Sequence, residues 1–289
     1  MKRFFRLFFL VSLISCGRGT EPPGRIITVS IPPFKYFVEG IAGKNFTVNV
    51  MVPAGANPHI YEPFPDQINQ LRKSVAYISD GFLGFEMTWL DRFYEMNRTM
   101  KRLSLGDKIE PIVSGHRHDG GEVEGADPHF WVSPVCAFKI AEAVEDLLSE
   151  LDPGNRTAYE KNFNVLKEKI TDADAKAKEL SSIGHGKSFM IYHPNLAYLA
   201  RDYGFEEIAV EFEGKEPTPS RLIELTDRAR KENLKIILVQ REYDTKNARS
   251  IADETGAKVV IIDPLSEDWY KSTVDIINIL KESFTNNLN

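Results

Sequence analysis

Three of the six histidines in the chain stand beside a proline where an apolar or aromatic run meets a loop: Asn57-Pro58-His59, Asp127-Pro128-His129 and His193-Pro194. Imidazole is the commonest ligand for borderline-soft divalent metals. A neighbouring proline restricts the local backbone and so limits how far the ring can wander. The three are 70 and 64 residues apart, so a metal site made from them needs the fold to gather distant segments. Three imidazoles plus one carboxylate would close a tetrahedral zinc shell, whereas a catalytic zinc keeps one position open to water or substrate. The fourth ligand therefore separates a carrier from a zinc hydrolase. Neither a Ser-His-Asp arrangement nor a His-Glu-x-x-His motif accompanies the three histidines, which counts against the hydrolase.

The elements that must hold these residues alternate in type. Residues 26–31, 46–52 and 75–79 read as strands, with helical patterns at 34–42, 66–74 and 85–97. Later in the chain, strands are expected at 188–192, 207–212, 236–240 and 259–262, and helices at 196–203, 220–232 and 246–255. Such alternation implies mainly parallel sheets covered by helices, an α/β fold, and two runs of it make two lobes. Between them Tyr159, Phe163, Leu166, Ile170, Ala173, Ala177 and Leu180 recur at spacings of 4 and 3, which puts all of them on one stripe of a single long helix. Asp152-Pro153 is expected to open that helix, and Gly184 and Gly186 to close it. The stripe could serve a coiled-coil dimer, but it ends in small residues and better suits packing against both lobes, which makes the chain a monomer. The expected organisation is a leader and tether over 1–24, an N-terminal lobe over 25–151, a linking helix over 152–184 and a C-terminal lobe over 185–289.

The first residues indicate a compartment. Met1-Lys2-Arg3 and Arg6 form a positive start, residues 7–14 are apolar but too short to span a bilayer, and Leu13-Ile14-Ser15-Cys16 reads as a lipobox. Cleavage before Cys16 would leave its thiol for lipid attachment, tethering the folded part to a bacterial membrane on the extracytoplasmic side, in the periplasm or at the cell surface. Cys136 is the only other cysteine, so an acylated Cys16 leaves no internal disulfide. A net charge of −6 counts against nucleic acid as a partner, which rewards basic surfaces, and suits capture of a cation.

The runs Asn57-Pro58-His59-Ile60-Tyr61-Glu62-Pro63, Asp127-Pro128-His129-Phe130-Trp131, Tyr192-His193-Pro194, Glu216-Pro217-Thr218-Pro219 and Ile262-Asp263-Pro264-Leu265 together resemble the metal-specific solute-binding lipoproteins of ABC importers, closest to the zinc-uptake type. The resemblance implies two α/β lobes joined by one long rigid helix, with the metal in the cleft between them. It implies no enzymatic activity. Carried over residue by residue, it makes His59, His129 and His193 ligands and Asp263 the fourth. Glu62 and Glu211 are alternatives for that place, and Asp263 could instead cap a turn or support a ligating imidazole. Three imidazoles and a carboxylate suit zinc, with manganese or iron(II) as alternatives, because harder oxygen-rich shells favour manganese. The polar, glycine-rich stretch with His116, His118 and Asp119 sits where zinc-binding relatives carry a longer histidine-rich loop and is a candidate auxiliary site; His185 between two glycines is expected to be exposed. The expected function is zinc capture outside the cytoplasmic membrane and delivery to an ABC permease, with surface adhesion as a different class of role.

Overall fold

The computed structural model describes residues 25–113, 125–211 and 215–285. Cys16 and the trio His116, His118 and Asp119 lie outside the described residues.

The chain folds into two lobes of the same plan. In the first, β1 (Arg25–Val29), β2 (Phe46–Val50), β3 (Ser74–Ser79) and β4 (Lys101–Ser104) alternate with α1 (Pro32–Ala42), α2 (Pro65–Leu71) and α3 (Gly84–Met96), and α4 (Pro134–Leu151) follows. In the second, β5 (Ser188–Ile191), β6 (Glu206–Ala209), β7 (Ile236–Gln240) and β8 (Lys258–Ile262) alternate with α6 (Ala197–Tyr203), α7 (Pro219–Lys231) and α8 (Lys246–Thr255), and α9 (Trp269–Thr285) follows. Between them runs α5 (Arg156–Gly184). The sheets are ordered β2-β1-β3-β4 and β6-β5-β7-β8, with parallel neighbours throughout. Parallel pairing puts all strand C-terminal ends of a sheet on one edge, and the loops leaving that edge carry the residues of interest.

Local sequence accounts for the start of several helices. Pro32, Pro65, Pro134 and Pro219 occupy the first turns of their helices, where the missing N–H costs nothing and the fixed φ suits entry. Among the described residues, one strand and two α-helices lie outside the expected ones. Strand β4 reads Lys-Arg-Leu-Ser with its first two residues exposed, an edge strand with no apolar alternation to betray it. Helices α4 and α9 bury Ile140, Val144 and Leu148, and Ile276, Leu280 and Phe284, at helical spacing.

The long helix corrects one expectation and bears out another. It begins at Arg156, because Pro153–Asn155 forms a separate 3₁₀ turn. Asp152 does not cap it: its Oδ2 accepts from the Tyr159 hydroxyl and from Asn155 Nδ2, both at 2.8 Å, and pairs with Arg25 at 2.7 Å. Its 29 residues span about 43 Å at helical rise. Tyr159, Leu166, Ile170, Ala173, Ala177 and Leu180 are all buried and Phe163 is half-buried against the core, so the stripe is spent within the chain against α1, α4, α6 and α9. At its end, a Cβ on Gly184 would lie 2.4 Å from the Phe284 ring, so only glycine lets α9 pack this closely.

One continuous apolar core reaches from Ile27 and Phe37 in the first lobe to Phe189, Trp269 and Phe284 in the second, and a smaller cluster around Ile208, Ile237 and Ile251 covers the second sheet's other face. Two indoles fasten the junction: Trp131 Nε1 donates to the Pro264 carbonyl at 2.9 Å, and Trp269 Nε1 donates to the Trp131 carbonyl at 2.6 Å. Among the described residues no helix is long and apolar enough to cross a membrane.

Candidate metal centre

Each histidine is delivered by its own local device. After β2, Asn57 Oδ1 accepts from the His59 backbone N–H at 2.9 Å; in the loop before α4, Asp127 Oδ1 accepts from the His129 backbone N–H at 2.7 Å. Both are Asx turns with a proline in the middle, so an Asx-Pro-His run fixes the histidine two residues past the acceptor. Behind the first turn, Phe85 N–H donates to the Pro58 carbonyl at 3.3 Å, and a Cβ on Gly84 would fall 2.5 Å from the His59 carbonyl oxygen. The His193-Pro194 order is reversed, and there the central strand does the work: Gln240 Oε1 accepts from His193 N–H at 3.3 Å and Gln240 Nε2 donates to the His193 carbonyl at 2.5 Å.

These devices bring the three rings together. His59 Nε2 lies 3.1 Å from His193 Nε2, which lies 3.4 Å from His129 Nε2, and the three candidate donor atoms all fall within 4.8 Å of one another. Carboxylates stand behind two rings. Asp127 Oδ1 is 2.9 Å from His129 Nδ1, and Glu211 Oε1 is 3.3 Å from His193 Nδ1. Each carboxylate accepts the Nδ1–H, which leaves Nε2 as a lone-pair donor aimed inward. His129 and His193 are buried and His59 is half-buried. Burial, followed by the proximity of His129 and His193, pushes the His59 imidazole down to about 3. Burial also lowers His193, against a partly offsetting bond from Glu211. For Asp127 burial acts upward, but the charge and hydrogen bonds of His129 outweigh it and hold the carboxyl below its ordinary range. His59 and His193 are thus kept as neutral donors near neutral pH, the form a metal requires.

The carboxylate expected to complete the shell is placed differently. Asp263 Oδ2 pairs with Arg241 at 3.1 Å and is not among the converging donors; its carbonyl accepts from Ser272 Oγ at 2.6 Å in a turn leading to α9. Glu62 is exposed, and Glu211 supports His193 instead of joining the donor group. His185 is exposed, as expected.

Asn57 and Asp127 were legible as Asx-Pro pairs two residues before a histidine. Gln240, the last residue of a buried strand, and Tyr243 just beyond it, whose ring stacks on His193 with centroids 4.8 Å apart and planes at 15°, carry no sequence signal besides that position. Nor does half-buried Glu242, whose carboxyl is pushed up by burial and by Asp263 while His129 pulls it down.

Residues 27–283 match the family described as zinc-uptake complex component A, periplasmic (ZnuA). A crystal structure of ZnuA is 34% identical and superposes with a TM-score of 0.83, covering 90% of this chain and 99% of that one. A ZnuA deletion mutant with zinc bound is 35% identical, with a TM-score of 0.82 and coverage of 90% and 98%. The zinc-binding lipoprotein AdcA of Streptococcus pneumoniae is 26% identical over 94% of this chain, which spans only 57% of AdcA. A putative metal-binding protein of Chlamydia trachomatis is 27% identical, with 96% of this chain and 98% of that protein covered. A match over nearly all the described chain, on a two-lobed fold with three imidazoles converging between the lobes, leaves one conclusion: the chain belongs to the ZnuA family of zinc-uptake complex components.

Proposed function

We propose that the chain is an extracytoplasmic receptor that binds one zinc ion through Nε2 of His59, His129 and His193 and hands it to the permease of an ABC importer. The observation that carries this reading is the convergence of three imidazole nitrogens, two with a carboxylate behind the ring. Nitrogen donors favour zinc over manganese, whose preference is for oxygen. Among the described residues no carboxylate oxygen joins the three imidazole donors, and Asp263, the fourth ligand that the resemblance implies, is paired with Arg241. The names of AdcA and ZnuA support zinc as the cargo.

Cys16 is proposed as the lipid anchor, with the permease and the membrane as partners and the auxiliary trio His116, His118 and Asp119 as a weak collecting site. The test has two arms. Protein purified without added metal and stripped by chelation should bind one tight equivalent of zinc, with manganese and iron(II) displaced by it; tighter manganese binding would overturn the cargo assignment. Cys16→Ser should move the protein out of the membrane fraction with its zinc affinity unchanged, and unaltered membrane association would remove the anchor.

A further inference from the structure

We propose that Asn57 and Tyr243 form a clasp across the cleft that sets how fast the bound metal leaves. This rests on the zinc-receptor reading above. Asn57 uses both ends of its amide: Oδ1 holds the His59 backbone N–H at 2.9 Å, and Nδ2 donates across the cleft to the Tyr243 hydroxyl at 3.4 Å. The ring of Tyr243 lies flat on His193, with centroids 4.8 Å apart and planes at 15°. Its backbone N–H is fixed to the Gln240 carbonyl at 3.1 Å, and the Gln240 side chain brackets the His193 main chain. A continuous line of contacts therefore joins a ligand of the first lobe to a ligand of the second: His59 main chain, Asn57 amide, Tyr243 hydroxyl, Tyr243 ring, His193 ring. None of the linking atoms belongs to the donor set.

The consequence is mechanical. Separating the lobes must break the Asn57 to Tyr243 bond, because its two ends sit on opposite walls, while the stack on His193 and the Asx turn at His59 each stay within one lobe. With the clasp closed, His59 and His193 stay in register. With it broken, the His59 loop can leave the metal without waiting for the second lobe. Asn57 and Tyr243 are positioning residues, and they act on release more than on ligand identity.

The test measures zinc release from the full chain into excess chelator. Tyr243→Phe keeps the ring on His193 and removes only the hydroxyl. Asn57→Ser keeps a short acceptor for the His59 N–H but cannot reach Tyr243. Each should speed release about two- to tenfold, the scale of one hydrogen bond, and the double variant should release no faster than the faster single one. The cobalt(II) absorption spectrum should be unchanged in all three, since the ligands are. Wild-type release from Tyr243→Phe, independent effects that multiply in the double variant, or a changed cobalt spectrum would each overturn the clasp. A wild-type chain that takes up no zinc would overturn the receptor reading and the clasp with it.

Discussion

The two lobes share one topology and use it differently. Each is a four-stranded parallel sheet with the same strand order, three helices between its strands and one after them. In the first lobe the turns that carry proposed ligands follow the second strand, giving His59, and the fourth, giving His129. In the second lobe the proposed ligand follows the first strand, giving His193, while the loop after the second strand gives Glu211, a support for that ring, and the fourth gives Asp263, held by Arg241. Symmetry of fold therefore does not extend to the site. Parallel strands place every loop near the same edge, and which loop carries a donor is decided by a few residues in it. The first lobe orients its rings by local turns; the second does so by a glutamine on a fully buried strand.

The sharpest way to break this comparison is to remove donors one lobe at a time. Alanine at His59, His129 or His193 should each weaken zinc binding by about 100-fold or more, beyond the 10- to 100-fold cost of losing a supporting group. Calorimetric titration checks it, and a second-lobe variant His193→Ala with near-normal affinity would mean that the first lobe binds alone. Next come the supporting carboxylates. Asp127→Asn and Glu211→Gln should each cost about 10- to 100-fold, with Asp127 the larger because its contact is 2.9 Å against 3.3 Å. The reverse order would assign the stronger support to the second lobe.

A third prediction concerns the protein stripped of metal. His59 titrates at about 6.5 when unfolded and is pushed down to about 3 in the fold. Below pH 6.5 the unfolded chain therefore holds a proton that the folded chain rejects, so His59 contributes stability above pH 6.5 that is lost as pH falls towards 3. Glu86 and Glu207, raised to about 7 and about 8 chiefly by burial, act with the opposite sign, so the measurement is a difference. In thermal unfolding of metal-free protein between about pH 7 and pH 4, His59→Gln should lose less stability on acidification than the wild type. Equal slopes would show that the ring is not buried as a neutral group. The smallest effect is expected at Asp263. Asp263→Asn removes a pair whose side chains are 31% and 66% exposed, so stability should change by about 1 kcal/mol or less. Zinc affinity should fall by less than about tenfold, the least a supporting group costs, and a loss on the scale of a histidine variant would make Asp263 a full ligand.

Much of this was determined by sequence alone, because the interactions responsible are short in range. The Asx-Pro-His turns depend on residues two apart, and the stripe on α5 repeats every three or four residues, so both could be read without coordinates. Alternating βα segments implied two parallel sheets for the same reason. Strand β4 was not legible, since an exposed edge strand carries no apolar period. The tertiary structure alone decided which side chains meet. The rings converge because α5 and the Trp131 to Trp269 junction set one sheet against the other, and that placement depends on contacts more than a hundred residues apart. The same long-range placement put Glu211 behind His193, gave Tyr243 its ring to cover, and left Asp263 facing Arg241, where a carboxylate meets a guanidinium before it meets a metal.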